Sequence, residues 1–368
     1  MRIAIVGPTY PYKGGVAQHT TELAHRLRRA GHEVRLESWL AQYPKAVYPG
    51  QQTVDAPEYE LFPDTRRTLS WRRPDTWLRL GRRLRRSVDS VVLTVASPVQ
   101  VVPYLGILAG LRGAPARIVA LCHNVVPHER RRVDRFLMRT LLRRVDAVFV
   151  HSAEQAAVAR GLTAAPVGVA ALAPHLPLAG CGRPDRGPDA PVRGRLLFFG
   201  IVRPYKGLDV LLRALAGGPA GVSLTVAGEF WGGTAKTERL IVELGLDDRV
   251  TVRPGYVPAE EVGRLFAAAD ALVLPYRSAT ASQNVWMAFE HGIPVICTRA
   301  GALADPVTDG VDGLVCAPDD VAALTQALHR FYQTGTPQRL RAAVRPVDPE
   351  PYWKRYLDAL PTAPPRGS

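Results

Sequence analysis

Sulfur is scarce in this 368-residue chain, which holds four cysteines and three methionines. Cys122, Cys181, Cys297 and Cys316 stand far apart, with no Cys-x-x-Cys pair and no histidine at ligand spacing. That pattern argues against a zinc finger or a disulfide scaffold and fits a reducing, cytoplasmic setting. Uninterrupted apolar runs are missing as well. The opening MRIAIVG is too short for the core of a signal peptide and runs into Pro8. The longest apolar stretch, residues 91–111, is broken by Thr94, Ser97, Pro98, Gln100 and Pro103, so a buried strand followed by a helix suits it better than a membrane span. Aromatic residues make up 7% of the chain, and Trp71 and Trp77 are the exceptions among arginine-bearing helices that otherwise lack interleaved rings. Nucleic acid is therefore not an expected partner.

What is present is length for two domains and a one-sided charge. The net charge is +14, and 26 of the 47 Lys and Arg but only 13 of the 33 Asp and Glu lie within residues 1–180. An anionic partner is expected for that first half, whether phosphorylated substrate or lipid surface. Residues 74–86, PDTWLRLGRRLRR, put Trp77, Leu80 and Leu84 on one side and Arg79, Arg82, Arg83, Arg85 and Arg86 on the other. Such a helix either lies on an anionic membrane or packs on its own domain with a solvated basic face. Residues 131–144 form a second arginine-rich helix, and peripheral membrane contact is expected through residues 66–86 and 130–144.

Strand and helix alternate along the chain. A first strand at residues 1–7 leads through a loop to a helix whose face is marked by Val16, Thr20, Leu23, Ala24 and Leu27, ended by Gly31. Residues 40–65 lack periodicity and read as a long loop. Residues 173–193 are dense in Pro and Gly and mark the domain boundary. The expected division is a domain over 1–175, a linker over 176–193, a second domain over 194–345, and a C-terminal helix with a disordered tail over 346–368. The fold class is α/β, two Rossmann-like doubly wound domains facing a central cleft.

The most informative stretch is residues 196–215, LLFFGIVRPYKGLDVLLRAL. A short strand stops at Gly200, a loop carries Arg203 and Lys206 to Gly207, and leucines then recur at helical spacing. In a doubly wound sheet that loop lies at the carboxyl end of a strand, where ligands bind. Two cations beside a helix N-terminus suit a phosphate or diphosphate; the competing reading makes them solvated surface charges. Gly14 and Gly15, just before the first helix, let a ligand approach the backbone, although they form no GxGxxG fingerprint. His123 and Asn124, with His128 and Glu129 beyond, follow the apolar strand 116–121 at the edge where such a sheet builds its site. Ser282 is a fair N-cap for a helix over 282–291, a second candidate phosphate site. Glu290, near the end of that helix, needs a hydrogen-bonding partner, either ligand hydroxyls or a structural ion pair.

These residues resemble a known family. FGIVRPYKGLDVLLRA, VRPGYVPAEEVGRLFAAADALVLPY, AFEHGIPVICTRAG and DGVDGLVCAPDD, with PYKGGVAQHTTELA and CHNVVPHE, look like the GT-B glycosyltransferases of family 4. The resemblance spans residue 1 to about residue 331. It implies transfer of a sugar from a nucleotide-sugar to an acceptor hydroxyl, with retention at the anomeric carbon. It also implies no cofactor and no metal, and no Asp-x-Asp occurs in the sequence. The acceptor would be a lipid-linked glycan or a natural-product aglycone. By position, Lys206 and Arg203 would bind the diphosphate, His123 would face the donor sugar, and Gly14 and Gly15 would border diphosphate and acceptor. Gly200, Gly255, Tyr256, Ser282, Gln283, Asn284 and Glu290 complete the implied donor site. The sequence departs from the family where Ala279 and Met287 occupy the positions of its paired glutamates, and where Gly200-Ile201 replaces its usual Gly-Arg. Two other readings share this architecture: a nucleotide-sugar-binding protein without turnover, and a nucleotide-sugar 2-epimerase.

Overall fold

The computed structural model describes residues 1–44, 48, 50–127, 132–175 and 190–362. His128, Glu129, residues 176–189 of the expected linker and residues 363–368 of the expected tail lie outside the described residues. The chain divides into two compact units, Met1–Pro177 with Pro349–Ser368, and Leu178–Asp348.

In the first unit the strands are β1 (Arg2–Val6), β2 (Glu33–Ala41), β3 (Thr65–Ser70), β4 (Ser90–Val95), β5 (Arg117–Cys122), β6 (Ala147–Val150) and β7 (Val167–Val169). They form one parallel sheet in the order β3-β2-β1-β4-β5-β6-β7, which reverses direction between β1 and β4. β4, SVVLTV, is buried at every position, as expected of a central strand covered on both faces. The helices are α1 (Gly15–Arg29), α2 (Pro74–Leu84), α3 (Val101–Leu111), α4 (Arg132–Leu142) and α5 (Ala153–Arg160). α1 buries Ala17, Thr20, Leu23, Ala24 and Leu27, close to the expected face, and Gly31 follows it at φ 87°. The loop expected over 40–65 gives way at its end to β3, an edge strand. TRRTLS shows too little apolar alternation to announce itself.

The apolar face of α2 does not await a bilayer. Leu80 and Leu84 are buried, and a Cβ added to Gly81 would fall 2.1 Å from the Ile107 carbonyl oxygen of α3, so the two helices touch backbone to backbone. Of the two readings of residues 74–86, the packed helix with a solvated basic face is the one adopted. No helix among the described residues is long and apolar enough to cross a membrane.

The second unit holds β8 (Arg195–Phe199), β9 (Ser223–Gly228), β10 (Val250–Pro254), β11 (Ala271–Leu274), β12 (Val295–Thr298) and β13 (Gly313–Cys316). All pairings are parallel, in the order β10-β9-β8-β11-β12-β13, with the reversal between β8 and β11. Around them pack α6 (Leu208–Ala216), α7 (Ala235–Glu243), α8 (Ala259–Ala268), α9 (Gln283–Glu290), α10 (Val321–Phe331) and α11 (Thr336–Ala343). Leu208, Leu211, Leu212 and Leu215 of α6 enter a core with Phe198, Val226, Val273 and Phe331. The last helix, α12 (Glu350–Ala359), belongs to the first unit, where Trp353 and Tyr356 join Leu23, Leu36 and Phe149 in the core.

Candidate active site

In each sheet the strand order reverses once, and the loops leaving the two strands at that point open a crevice. In the second unit those are the loop after β8, with Gly200, Arg203 and Lys206, and the loop after β11, leading to Ser282 and α9. The sheet therefore brings together stretches some eighty residues apart in sequence. Gly200 has φ 104°, and a Cβ placed on it would lie 3.4 Å from Asn284 Nδ2 and 3.5 Å from Lys206 Nζ. Asn284 donates from Nδ2 to the Phe199 carbonyl oxygen at 2.9 Å, and its backbone N–H donates to Ser282 Oγ at 3.3 Å, the cap of α9. Ser282, Gln283 and Asn284 thus open α9 beside the basic loop. Gly255, at φ 119° with open space beside it, and half-buried Tyr256 follow β10.

Lys206 is half-buried with Nζ 5.1 Å from the centre of the Tyr276 ring. Arg203 lies over Trp231, 4.7 Å from its ring centre, with Tyr205 at 5.9 Å. Burial pushes the Lys206 ammonium below the ordinary lysine range; Tyr205 opposes that and Arg203 adds to it. Among the described residues no carboxylate pairs with Lys206. An ammonium with no counter-ion among the described residues is placed as a protein prepares to receive an anion. A residue that the motif reading missed stands behind this loop: Arg277, two residues past the Pro275 that follows β11, hydrogen-bonded to Pro204, Asp209 and Asp319.

Glu290 is half-buried and accepts from the Val347 backbone N–H at 3.2 Å. The partner that its position demanded is a stretch of the same unit rather than an ion pair. Ala279 is buried and Met287 half-buried, so neither position supplies a carboxylate.

In the first unit Gly14 caps α1 at φ 91°, where an added Cβ would meet no atom within 4 Å, and Gly15 begins the helix against His175. His123 follows β5 and is buried among other imidazoles: its ring centre lies 4.9 Å from His19 and 4.9 Å from His151. His19 in turn is 5.2 Å from His175 and stacks on Trp353 of α12 at 5.4 Å. Burial, with the neighbouring histidines, drives His123 and His19 well below the usual imidazole range, so both are neutral. Nε2 of His123 has no partner among the described residues. Of these four histidines sequence reading singled out His123; His19, His151 and His175 gather with it through the topology. No cluster among the described residues is arranged to hold a metal ion.

Two family descriptions match this chain, Glycosyltransferase Family 4 over residues 13–170 and Glycosyl transferases group 1 over residues 193–334. The chain belongs to the group 1 GT-B glycosyltransferases. Among curated relatives of this family, a D-inositol 3-phosphate glycosyltransferase of Mycobacterium sp. (strain KMS) is 32% identical over 150 residues, 40% of this chain and 34% of that protein. The match spans about a third of such relatives' length. A GDP-mannose-dependent alpha-(1-6)-phosphatidylinositol monomannoside mannosyltransferase of Mycolicibacterium smegmatis is 28% identical over 347 residues, covering 86% of this chain and 85% of that one. Among solved structures, Anabaena HepE in complex with UDP and glucose superposes with a TM-score of 0.74 at 14% identity, covering 99% of this chain and all of that one. Sucrose-phosphate synthase from Thermosynechococcus elongatus gives 0.70 at 18% identity, covering 97% of each chain. The GT-B fold of this glycosyltransferase family member follows from these likenesses; its donor and acceptor do not.

Proposed function

We propose that this GT-B family member transfers a sugar from a nucleotide-sugar to an acceptor hydroxyl, with retention and without a metal. The observation that carries the reading is the Lys206 ammonium, unpaired with any carboxylate among the described residues, beside Arg203, Gly200, Asn284 and the start of α9, all at the reversal point of the second sheet. The bond from the anomeric carbon to the β-phosphate oxygen breaks with its electron pair staying on the diphosphate, the acceptor oxygen bonds to that carbon on the same face, and the hydroxyl proton passes to the departing phosphate oxygen. Lys206 and Arg203 stabilise that growing charge from fixed positions, the kind of help that dominates such steps. The capped start of α9 contributes backbone N–H groups. Gly255 and Tyr256 border the base, Gly14 and Gly15 the acceptor, and neutral His123 meets the transferred sugar. Glu290 accepts the Val347 N–H through Oε1 and keeps Oε2 for the ribose hydroxyls; Ser282 and Gln283 open the same helix. The HepE complexes with UDP and UDP-glucose support a nucleotide-sugar donor, and the M. smegmatis relative's name makes GDP-mannose a second candidate.

A lipid-linked acceptor reached from a membrane surface is favoured over a soluble aglycone by one observation. α4 exposes Val133 (53%) and Phe136 (68%) to solvent, beside exposed Val99 and Val102 of the neighbouring turn and α3, with Arg135, Arg139 and Arg143 alongside. Exposed apolar side chains on a helix that also carries exposed arginines fit an anionic bilayer.

The deciding experiment is a thermal-shift panel of UDP-, GDP-, ADP- and dTDP-sugars without added metal, on wild type and Lys206→Ala. Donor at about a hundred times its dissociation constant adds about 2.7 kcal/mol to the folded state. One nucleotide is expected to raise the wild-type melting temperature and to lose that effect in the variant, and product anomers read by NMR should match the donor's. If no nucleotide shifts the wild type, the donor-site reading fails.

A further inference from the structure

The basic loop is held in place by a side chain that makes no appeal to substrate. Arg277 donates from Nη1 to Asp209 Oδ1 and from Nη2 to Asp209 Oδ2, each at 2.8 Å, a two-pronged contact. Nη1 also donates to the Pro204 carbonyl oxygen at 2.8 Å, Nε to Asp319 Oδ1 at 2.7 Å, and the Arg277 backbone N–H to the Tyr205 carbonyl oxygen at 2.7 Å. Its neighbours complete the wall. The Tyr276 ring backs Lys206 Nζ, and the Pro275 carbonyl lies 2.1 Å from where a Cβ on Gly207 would fall. Residues 275–277 therefore contact the loop at Pro204, Tyr205, Lys206, Gly207 and the first turn of α6.

Two features separate this arrangement from an ordinary surface ion pair. The guanidinium is already neutralised by Asp209 and Asp319, so it is no diphosphate ligand in its own right. And the fork keeps Asp209, three residues from Lys206, engaged away from the loop's cations. Burial raises the Asp209 carboxyl, but Arg277, helped by Arg213, outweighs it and holds the group ionised below the usual range. A short loop carrying two like charges would otherwise spread, and each ångström of displacement costs binding.

We propose that Arg277 is a positioning residue: it fixes the backbone of Pro204 and Tyr205 and the start of α6 so that Arg203 and Lys206 stay where the diphosphate charge collects. This rests on the reading of those two cations as diphosphate ligands. The test is calorimetric titration of UDP, GDP, ADP and dTDP into the full chain; the tightest serves as probe, with its nucleoside as reference. Arg277→Ala and Arg277→Lys should each weaken the diphosphate about tenfold or more while nucleoside binding holds, because a lysine keeps the charge but cannot fork. Asp209→Asn should match them, and the Arg277→Ala/Asp209→Asn double variant should add little further loss. Wild-type affinity in Arg277→Ala, or its restoration in Arg277→Lys, overturns the proposal. Should Arg277→Ala fail to fold, Arg277→Lys and Asp209→Asn decide in its place. Lys206→Ala separates the two readings. Loss there with full affinity in the Arg277 variants sinks the positioning role alone, whereas no loss in Lys206→Ala sinks the diphosphate site beneath it.

Discussion

Gly207 turns the loop into α6 with φ 66° and ψ 27°, a left-handed conformation in which a side chain costs about 1–2 kcal/mol before any contact is counted. Here the contact is with main chain, Pro275 O at 2.1 Å from the added Cβ, and cannot be relieved by rotating a side chain. Gly207→Ala should therefore lower the urea midpoint of the second unit by the equivalent of about 3 kcal/mol or more. It should also weaken nucleoside diphosphate binding, since it moves Lys206. A variant as stable and as tight as wild type would show that the loop is not locked against β11. At this scale the sequence was half legible. Arg203, Lys206, Gly200 and Ser282–Asn284 declared themselves because strand, turn and cap signals stand next to them. Arg277 did not, because its partner Asp209 lies 68 positions away and no local signal marks an ion pair across a sheet. Glu290 showed only that it needed a partner, not that Val347 would be the one.

Among the elements, α12 is the one whose place periodicity could not give. It brings Trp353 and Tyr356 onto His19 and His151, and Trp353 Nε1 donates to the Pro174 carbonyl oxygen at 2.8 Å. The imidazoles beneath it stay neutral. Burial lowers His151 to about 3 and His175 to about 4, backbone hydrogen bonds offsetting only part of the effect. Histidines depressed in the folded state and near 6.5 when unfolded contribute stability that is complete above about pH 7 and is lost as pH falls toward 4. At pH 5 the loss is about 2 kcal/mol for each of these two. Urea denaturation should show a markedly lower midpoint at pH 5 than at pH 7.5, and His151→Leu should flatten that dependence. A midpoint independent of pH over this range would mean that these imidazoles are hydrated or already charged. The alternation of strand and helix was readable because central strands such as β4 are apolar throughout. β3, β7 and β13 escaped, being short or at an edge, where a strand needs little apolar sequence to pair.

Taken whole, the molecule carries its excess charge in the first half, and the structure narrows where that charge has a use. α2 buries its apolar side against α3; Arg83 pairs with buried Glu37 and Arg79 with Asp75, which leaves Arg82 facing solvent without a hydrophobic companion. α4 keeps both, and Arg139 and Arg143 join Arg160 of α5 along an open groove of about 580 Å³ where none of the three is ion-paired among the described residues. Each arginine near an anionic bilayer is worth about 1 kcal/mol, and the attraction fades within about 10 Å in 0.1 M salt. Wild-type protein should therefore co-sediment with phosphatidylglycerol-rich vesicles at low ionic strength, release as salt is raised, and ignore phosphatidylcholine vesicles. Arg139→Ala with Arg143→Ala removes two such cations and should weaken vesicle binding by about 2 kcal/mol, roughly thirtyfold. Phe136→Asp should weaken it too by removing the inserted ring, and neither change should alter donor affinity, because none of these three side chains is among the residues assigned to the donor. The matching change on α2 and the turn after it, Arg82→Ala with Arg86→Ala, is the control: equal loss there would mean that the bilayer senses net charge rather than this face. If wild type ignores anionic vesicles altogether, α4 has no lipid partner, and a soluble acceptor becomes the one to seek.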